Sequence, residues 1–544
     1  MMRENFDVIV IGGGTTGTGV IRDLVLRGFK NSLLLERDDL AAGTSGGCHS
    51  ALHGGARYAV SDVQTARECL QENQIYRKIV PQVVDPTDAI WVAKTDEHIE
   101  FSKKWMKNAD EIGLPYEVIT VAEAITSEPL LSDEIRFALR TIDTGFDPFR
   151  LCIAQAYDAK VKGAKIRTHH EVIGVLMEGK RAAGLRVLDK EENRVYEVCA
   201  GLIINAAGPW CSQITEMAGF AIPMKPNKGS TGVYSMRPTK TLIGILRTPS
   251  DGDGLVSQGF QNTALLGTSS VDVDDPDDAD PGMDEIKLME DSVAEIIPGL
   301  RDARMLRFCT GVRPLYTTGQ ETGRNISRGM FLLDHEEMEG VSGIITITGG
   351  KYATARLMAE EAVDLACEKL VGKVIPCTSH EELIYGATSA AEAEKEAREI
   401  HEKYHIPWYA AHKFTARYGT FAGKILEAYP EQAYVIDDAV QMIGSEVCYA
   451  FEEEDVADFK DLRRRTRIGM GQDQGVFSIY KAGGIAITEL HRVPVQVEEY
   501  VLGYAQERWK GVYFAAQYGD QLPLSELMQE MYNGMGSYDV LKIG

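Results

Sequence analysis

Gly12, Gly14 and Gly17, in the run GGGTTG, fit the pattern G-x-G-x-x-G, and Glu36 follows 19 residues after Gly17. A glycine triplet alone is a weak signal, because plain turns carry it too. The flanking residues make it strong. An apolar strand (Phe6 to Ile11) precedes the run, a helix (about Thr16 to Arg27) follows, and a second strand (Ser32 to Glu36) ends on the acid. That is the βαβ order of a dinucleotide site. Gly12 permits the tight turn, Gly14 lets backbone approach a pyrophosphate, and Gly17 allows close packing of helix on strand. The helix amino terminus then faces the anion, and the Glu36 carboxylate accepts hydrogen bonds from ribose hydroxyls.

The same fingerprint serves NAD and FAD. After Glu36 the chain runs through RDDLAAGTSGGCHSALHGGARY, a long loop rich in small and hydroxyl residues, where an NAD domain starts its next short βα unit. Such a loop, with Thr44 and Ser45 among its hydroxyls, suits a backbone wrapped around a second phosphate and a flavin ring. FAD is therefore the expected cofactor.

These residues must be positioned by a chain of 544 residues, enough for two to four domains. With 44% apolar and 25% charged residues it has the composition of a globular protein, which excludes a disordered, collagen-like or coiled-coil chain. Acids outnumber bases 81 to 57, a formal charge of −24, which disfavours a nucleic-acid footprint. No apolar run approaches the roughly 18 residues of a membrane span. The start, MMRENFDVIVIGGG, lacks a signal-peptide pattern, so a cytoplasmic location is expected, with membrane contact at most peripheral at the inner face. The nine cysteines are scattered without a C-x-x-C pair and read as reduced thiols.

Along the chain, mixed-charge amphipathic segments from Pro81 to about Ile142 form an inserted lobe. A helix from about Pro148 to Lys162 and the strand-like runs IRTHHEVIGVLM, AAGLRVLD and GLIINAAG return to the first domain. Short β-type runs fill Met224 to Arg313, interrupted by the exposed acidic loop VDVDDPDDADPG. A strand, GIITITGG, and a helix, YATARLMAEEAVDLACEKLV, follow. Beyond Pro376 the alanine- and glutamate-rich SAAEAEKEAREIHEKY opens a largely helical region.

GGGTTGTG, TSGG, HGGARY, NAAGPW, TGVRPL and TITGGKYATARLMAE occur in the order seen in FAD-dependent glycerol-3-phosphate dehydrogenases, and the chain resembles that family over nearly its whole length. FDPFRL, DLRRRTRIGMG and ERWKG are similar to the catalytic subunit of the anaerobic bacterial enzyme. The resemblance implies an α/β fold: a discontinuous Rossmann-like FAD-binding domain (1–90, 146–210, 325–376) and an antiparallel-sheet substrate domain of the glycine/D-amino-acid-oxidase type (91–145, 211–324). A helical carboxyl-terminal region (385–544) completes it. It further implies that Gly208 lies against the cofactor, that Val172 gives backbone contacts to adenine, and that Gly350 and Lys351 sit where a helix amino terminus favours the charge of a reduced flavin.

The implied reaction oxidises sn-glycerol 3-phosphate to dihydroxyacetone phosphate by hydride transfer from C2 to flavin N5, with electrons passed to a partner subunit or quinone. By resemblance, Arg57 and Lys351 take the phosphate, Arg313 lies near the C2 oxygen, and Tyr58 and Thr354 add hydrogen bonds. His53, then His49, are the candidate bases for the hydroxyl proton. In the aerobic relatives a histidine follows KGS; here Thr231 stands there. Two alternatives stay open: an oxidase acting on glycerol 3-phosphate or a 2-hydroxy acid such as 2-hydroxyglutarate, and a non-catalytic flavoprotein scaffold.

The catalytic subunit of the anaerobic enzyme carries a bacterioferritin-associated-ferredoxin-like module with four cysteines for a [2Fe–2S] cluster. At about 445–495 this chain keeps the frame with Cys448, Ala450, Asp473 and Ser478 at the four positions, so no cluster is expected. DLRRRTR (Asp461 to Arg467) reads as a solvated basic helix face, or as a dock for an acidic partner.

Overall fold

The strand Glu4–Ile11 runs through the middle of an eight-stranded sheet, parallel to Arg194–Asn205 on one side and to Ser32–Leu35 on the other. The computed structural model describes residues 4–248, 254–258, 262–323 and 326–517. Because both faces of this strand are covered, its side chains are apolar without alternation: Val8 and Val10 enter one core, Ile9 and Ile11 the other. Lys165–Arg167 adds beyond Ser32–Leu35. Ile344–Gly349 pairs parallel with Arg194–Asn205 and antiparallel with the edge strand Met330–Asp334. The hairpin His170–Glu178 and Arg181–Asp189 continues the sheet from Arg194–Asn205.

Helices Thr15–Leu26, Pro148–Val161 and Ala355–Val371 pack on one face, joining Val20, Leu24, Ile153 and Val363 to the Val8–Val10 core. Gly19 brings two of them together, since a Cβ there would lie 3.2 Å from that of Ala359. The sequence expectation for these three helices and for the strand Ile344–Gly349 agrees with the structure to within a few residues.

A second, nine-stranded sheet is mostly antiparallel. Its spine is the long pair Met224–Tyr234 and Met305–Tyr316, in register from Met224 opposite Tyr316 to Val233 opposite Arg307. Ala89–Ala93, Tyr116–Ile119 and Phe137–Thr141 join its far end. The carboxyl-terminal region is helical, starting with Ala390–Tyr404, whose first turn is closed by a capping box between Ser389 and Glu392.

The helix Phe459–Thr466 corrects one expectation. DLRRRTR is neither a solvated face nor a partner dock, because Arg463, Arg464, Arg465 and Arg467 are all buried. Arg464 Nε donates to Asp39 Oδ2 at 2.7 Å, and Arg465 donates with two nitrogens to the same carboxylate at 2.8 Å each. Arg467 pairs with Asp147 and lies over the ring of Phe149. A run of arginines reads as surface when its acids are out of view; here Asp39 and Asp147 stand hundreds of residues earlier, and only Asp461, which also meets Arg464, lies within the run.

Candidate active site

The glycine turn has the geometry its residues allow and no others would. Gly12 has φ +110°, and a Cβ on it would lie 2.6 Å from the Ala206 carbonyl oxygen; one on Gly17 would run into the Gly12 carbonyl. Glu36 closes the turn from the second strand. Its Oε2 accepts from Gly13 N at 2.6 Å and its Oε1 from Asp38 N at 2.8 Å, and burial raises its pKa. Ser45 reaches back to the start of the first helix, accepting from Thr15 N at 2.9 Å. Thr44 Oγ1 donates to the Val312 carbonyl at 2.6 Å and so ties the loop to the other sheet.

Two hydroxyls in this cradle, Thr15 Oγ1 and Ser50 Oγ, are buried with no hydrogen-bond partner among the described residues. Buried polar atoms are rarely left so. Gly208, at φ +60°, faces open space, and Val172 is buried in the core beneath the turn. A side-chain-free turn, a helix amino terminus with no side-chain cap at Gly14, and two orphan hydroxyls fit a phosphate-bearing dinucleotide. Gly12, Gly14, Thr15, Ser45, Glu36 and Gly208 are the residues that could hold it.

Tyr58 is the hub of the polar side chains. Lys351 Nζ lies 5.0 Å from its ring centre, Arg57 Cζ 6.0 Å, and the His53 ring centre 5.7 Å. Lys351 Nζ donates to Thr65 Oγ1 at 3.2 Å and to the Arg328 carbonyl at 2.6 Å, and burial lowers its pKa. It stands in the turn before the helix Ala355–Val371. Thr354 holds that turn: its Oγ1 accepts from Lys351 N and donates to Lys351 O, both at 3.2 Å. Arg57 is half-buried in a depression shared with Trp91, Trp105, Leu246 and Arg247.

His53 is buried, with Nδ1 3.3 Å from Asp143 Oδ1. Asp143 is itself fixed by Gly54 N at 2.9 Å and Thr141 Oγ1 at 2.7 Å. The His49 ring is edge-on to His53, with centres 5.5 Å apart.

Arg313 projects from Met305–Tyr316 across Gly229, where a Cβ would collide with the guanidinium. Its Nη1 donates to Asn227 Oδ1 at 2.6 Å and Lys228 O at 3.2 Å, and its Nη2 to Thr268 Oγ1 at 2.5 Å and Ser269 O at 2.9 Å. Its neighbours in the strand link it to the rest. Val312 O accepts from Thr44, Pro314 O accepts from Thr348 Oγ1 at 3.5 Å, and Gly47 lies so close that its Cβ would be 2.8 Å from Gly311 Cα. Thr348 stands three residues before Lys351. The structure thus places Lys351 and His53 against Tyr58, with Arg57 next to it in the chain, while the Arg313 guanidinium is bonded to Asn227, Lys228, Thr268 and Ser269 and its strand neighbours Val312 and Pro314 meet Thr44 and Thr348.

Sequence reasoning misses Asp143, Thr65, Asn227 and Thr268, which hold the candidate residues in place. None sits in a spacing that announces such a role. At the former cluster positions, Cys448 is buried and its thiol is pushed up to about 12 by burial, while burial raises Asp473 to about 6. One thiol, one carboxyl, one methyl and one hydroxyl do not make the thiolate set that such a cluster takes. Glu360, Cys377 and His380 come together elsewhere, but Arg356 Nη1 donates to Glu360 at 2.6 Å, a cation where a metal would sit.

Residues 7–363 match the family model described as FAD dependent oxidoreductase, and residues 377–491 that of the C-terminal domain of alpha-glycerophosphate oxidase. One subunit of the anaerobic glycerol-3-phosphate dehydrogenase of Escherichia coli (strain K12) is 36% identical over 98% of this chain and 97% of its own. This chain is an FAD-dependent oxidoreductase of the anaerobic glycerol-3-phosphate dehydrogenase family. Another relative of this oxidoreductase, the corresponding subunit from Haloferax volcanii, is 34% identical over 98% of this chain and 90% of that one. Among solved structures, the FAD complex of glycerol-3-phosphate dehydrogenase from Bacillus halodurans superposes with TM-score 0.66 at 20% identity, covering 98% of this chain and 95% of that one. Glycine oxidase from Geobacillus kaustophilus matches with TM-score 0.54 at 18% identity, over 69% of this oxidoreductase and 96% of its own chain. The fold is that of FAD-dependent glycerol-3-phosphate dehydrogenase and the glycine oxidases, with a helical carboxyl-terminal region, and the oxidoreductase's cofactor is FAD.

Proposed function

We propose that this oxidoreductase converts sn-glycerol 3-phosphate to dihydroxyacetone phosphate. The carrying observation is the meeting of Lys351 and His53 at Tyr58, whose chain neighbour is Arg57. Bound FAD supplies the two-electron acceptor. Lys351 and Arg57 bind the phosphate as a point charge and a planar fork. Arg313, held by four bonds, directs its guanidinium at the C2 oxygen and favours the negative charge that grows there as the hydroxyl proton leaves. With Nδ1–H donated to Asp143, His53 presents Nε2 as the base for that proton. Tyr58 closes the group from the side.

Without a thiolate set in the carboxyl-terminal region, the electrons leave from the flavin site directly, to a partner subunit or a quinone. A quinone brings the protein to a membrane face as a peripheral visitor; among the described residues no helix is long and apolar enough to cross.

Anaerobic spectroscopy of the flavin tests this. Glycerol 3-phosphate is expected to bleach it, 2-hydroxyglutarate to leave it yellow, and admitted air to reoxidise it slowly unless an artificial acceptor is added. Bleaching by 2-hydroxyglutarate instead, or reoxidation by air at the rate of turnover, overturns the reading in favour of a hydroxy-acid enzyme or an oxidase.

A further inference from the structure

Arg508, on the helix Pro494–Gln517, is 1% exposed, and its Nε and Nη2 are buried with no hydrogen-bond partner among the described residues. It lies in the seam where that helix crosses Met305–Tyr316 and Phe459–Thr466. Gly511 permits the crossing, since a Cβ there would meet the Phe308 carbonyl and come 2.8 Å from Arg307 Nε. Two further arginines share the seam. Arg463, 8% exposed, also has a buried Nε without a partner, and Arg307, 9% exposed, uses its Nε on the Phe308 carbonyl at 3.1 Å.

Acids are outnumbered here. Arg463 meets Glu507 at 3.5 Å, and although burial raises that carboxyl, the charges of Arg463, Lys510 and Arg307 hold it down to about 2; Asp473 feels Arg508 through its charge. The contrast lies within the same helix: Arg464 and Arg465 are equally buried and receive the Asp39 carboxylate. Burial, followed by mutual repulsion with Arg307, pushes Arg463 down to about 10 and Arg508 well below its ordinary value. Buried guanidinium donors left unused, as on Arg508 and Arg463, are costly unless an anion meets them.

We propose that Arg307, Arg463 and Arg508 form a binding site for a small tetrahedral oxyanion, inorganic phosphate being the expected occupant, which joins the carboxyl-terminal helix to the substrate-domain strand. Arg307 precedes Arg313 by six residues, about 20 Å along an extended strand, so this is a site apart from the proposed substrate pocket. The ion serves as a resident counterion that sets how firmly the carboxyl-terminal region is clamped down.

The test is thermal unfolding of the flavin-loaded protein against inorganic phosphate, with sodium chloride matched for ionic strength. The wild type is expected to show a saturable upward shift in melting temperature with phosphate alone. Lys351→Met, which touches the other proposed phosphate locus, is expected to keep that shift. Arg508→Met is expected to lose it, or to weaken the apparent affinity by about tenfold or more, and to melt no lower than wild type in phosphate-free buffer because an unpaired charge is gone. Should Arg508→Met not fold, Arg307→Met is read in the same way. No shift beyond that of chloride, a shift that survives both arginine substitutions, or one abolished by Lys351→Met overturns the proposal.

Discussion

Asp39 and Arg465 are joined by a two-point ion pair, both N···O distances 2.8 Å, though they stand 426 positions apart in the chain and neither side chain is exposed. Arg464 adds a third bond to the same carboxylate at 2.7 Å. Burial raises the pKa of Asp39, but the two guanidiniums override it and hold the carboxyl far below its ordinary range. Asp39→Asn strands the buried Arg465 guanidinium, leaves Arg464 with Asp461 alone, and is expected to cost about 3–5 kcal/mol in denaturant unfolding. Because Asp39 stands at the base of the cofactor loop, the same variant is expected to release flavin faster on dilution. The triple variant Asp39→Asn, Arg464→Met, Arg465→Met is expected to regain most of the stability, which separates the missing charge from a missing shape.

Lys351→Met removes the buried ammonium proposed for the substrate phosphate. Flavin binding is expected to persist, while the glycerol 3-phosphate concentration for half-maximal bleaching rises about tenfold to a hundredfold. Unchanged concentration dependence counts against the assignment.

Arg313→Lys keeps a positive charge but cannot reproduce a planar group bonded to Asn227, Lys228, Thr268 and Ser269. Stopped-flow reduction is expected to slow about 10²–10³-fold with the flavin spectrum unaltered. His53→Gln is expected to slow the same step about 10²–10⁴-fold. Asp143→Asn, acting through His53, is expected to alter the pH profile of reduction more than substrate affinity.

Asp473 has a folded-state pKa raised to about 6, burial being the main cause, against 3.8 in the unfolded chain. Between those values the folded state holds the proton and the unfolded state does not, so stability falls as pH rises from about 4 to 6 and stays lower above. Asp473→Asn is expected to remove that slope and to raise stability at neutral pH by up to about 3 kcal/mol. A steeper slope in the variant refutes this.

The nucleotide fold is legible because its signals are local. The glycine turn, the strands and the helix lie within a few tens of residues, and Gly17 answers a backbone contact with Gly12 inside the same turn, although Gly12 itself answers the distant Ala206 carbonyl. The arginines of DLRRRTR look solvated in sequence because their burial depends on Asp39 and Asp147, which periodicity cannot connect to them. Asp143 escapes notice for a similar reason. An acid in the two-residue link between strands carries no sign that His53, ninety residues earlier, lies against it. Arg57 and Lys351 enter through family resemblance, and no spacing in the chain foretells that Lys351 borders Tyr58.

The long span between Asp39 and its arginines also bears on how the protein matures. A ribosome delivers the glycine cradle first and Arg464 and Arg465 more than four hundred residues later. Until then neither guanidinium is there to meet the Asp39 carboxylate, so the stretch of chain that follows Glu36 gains this buried tie only after residue 465 has been made.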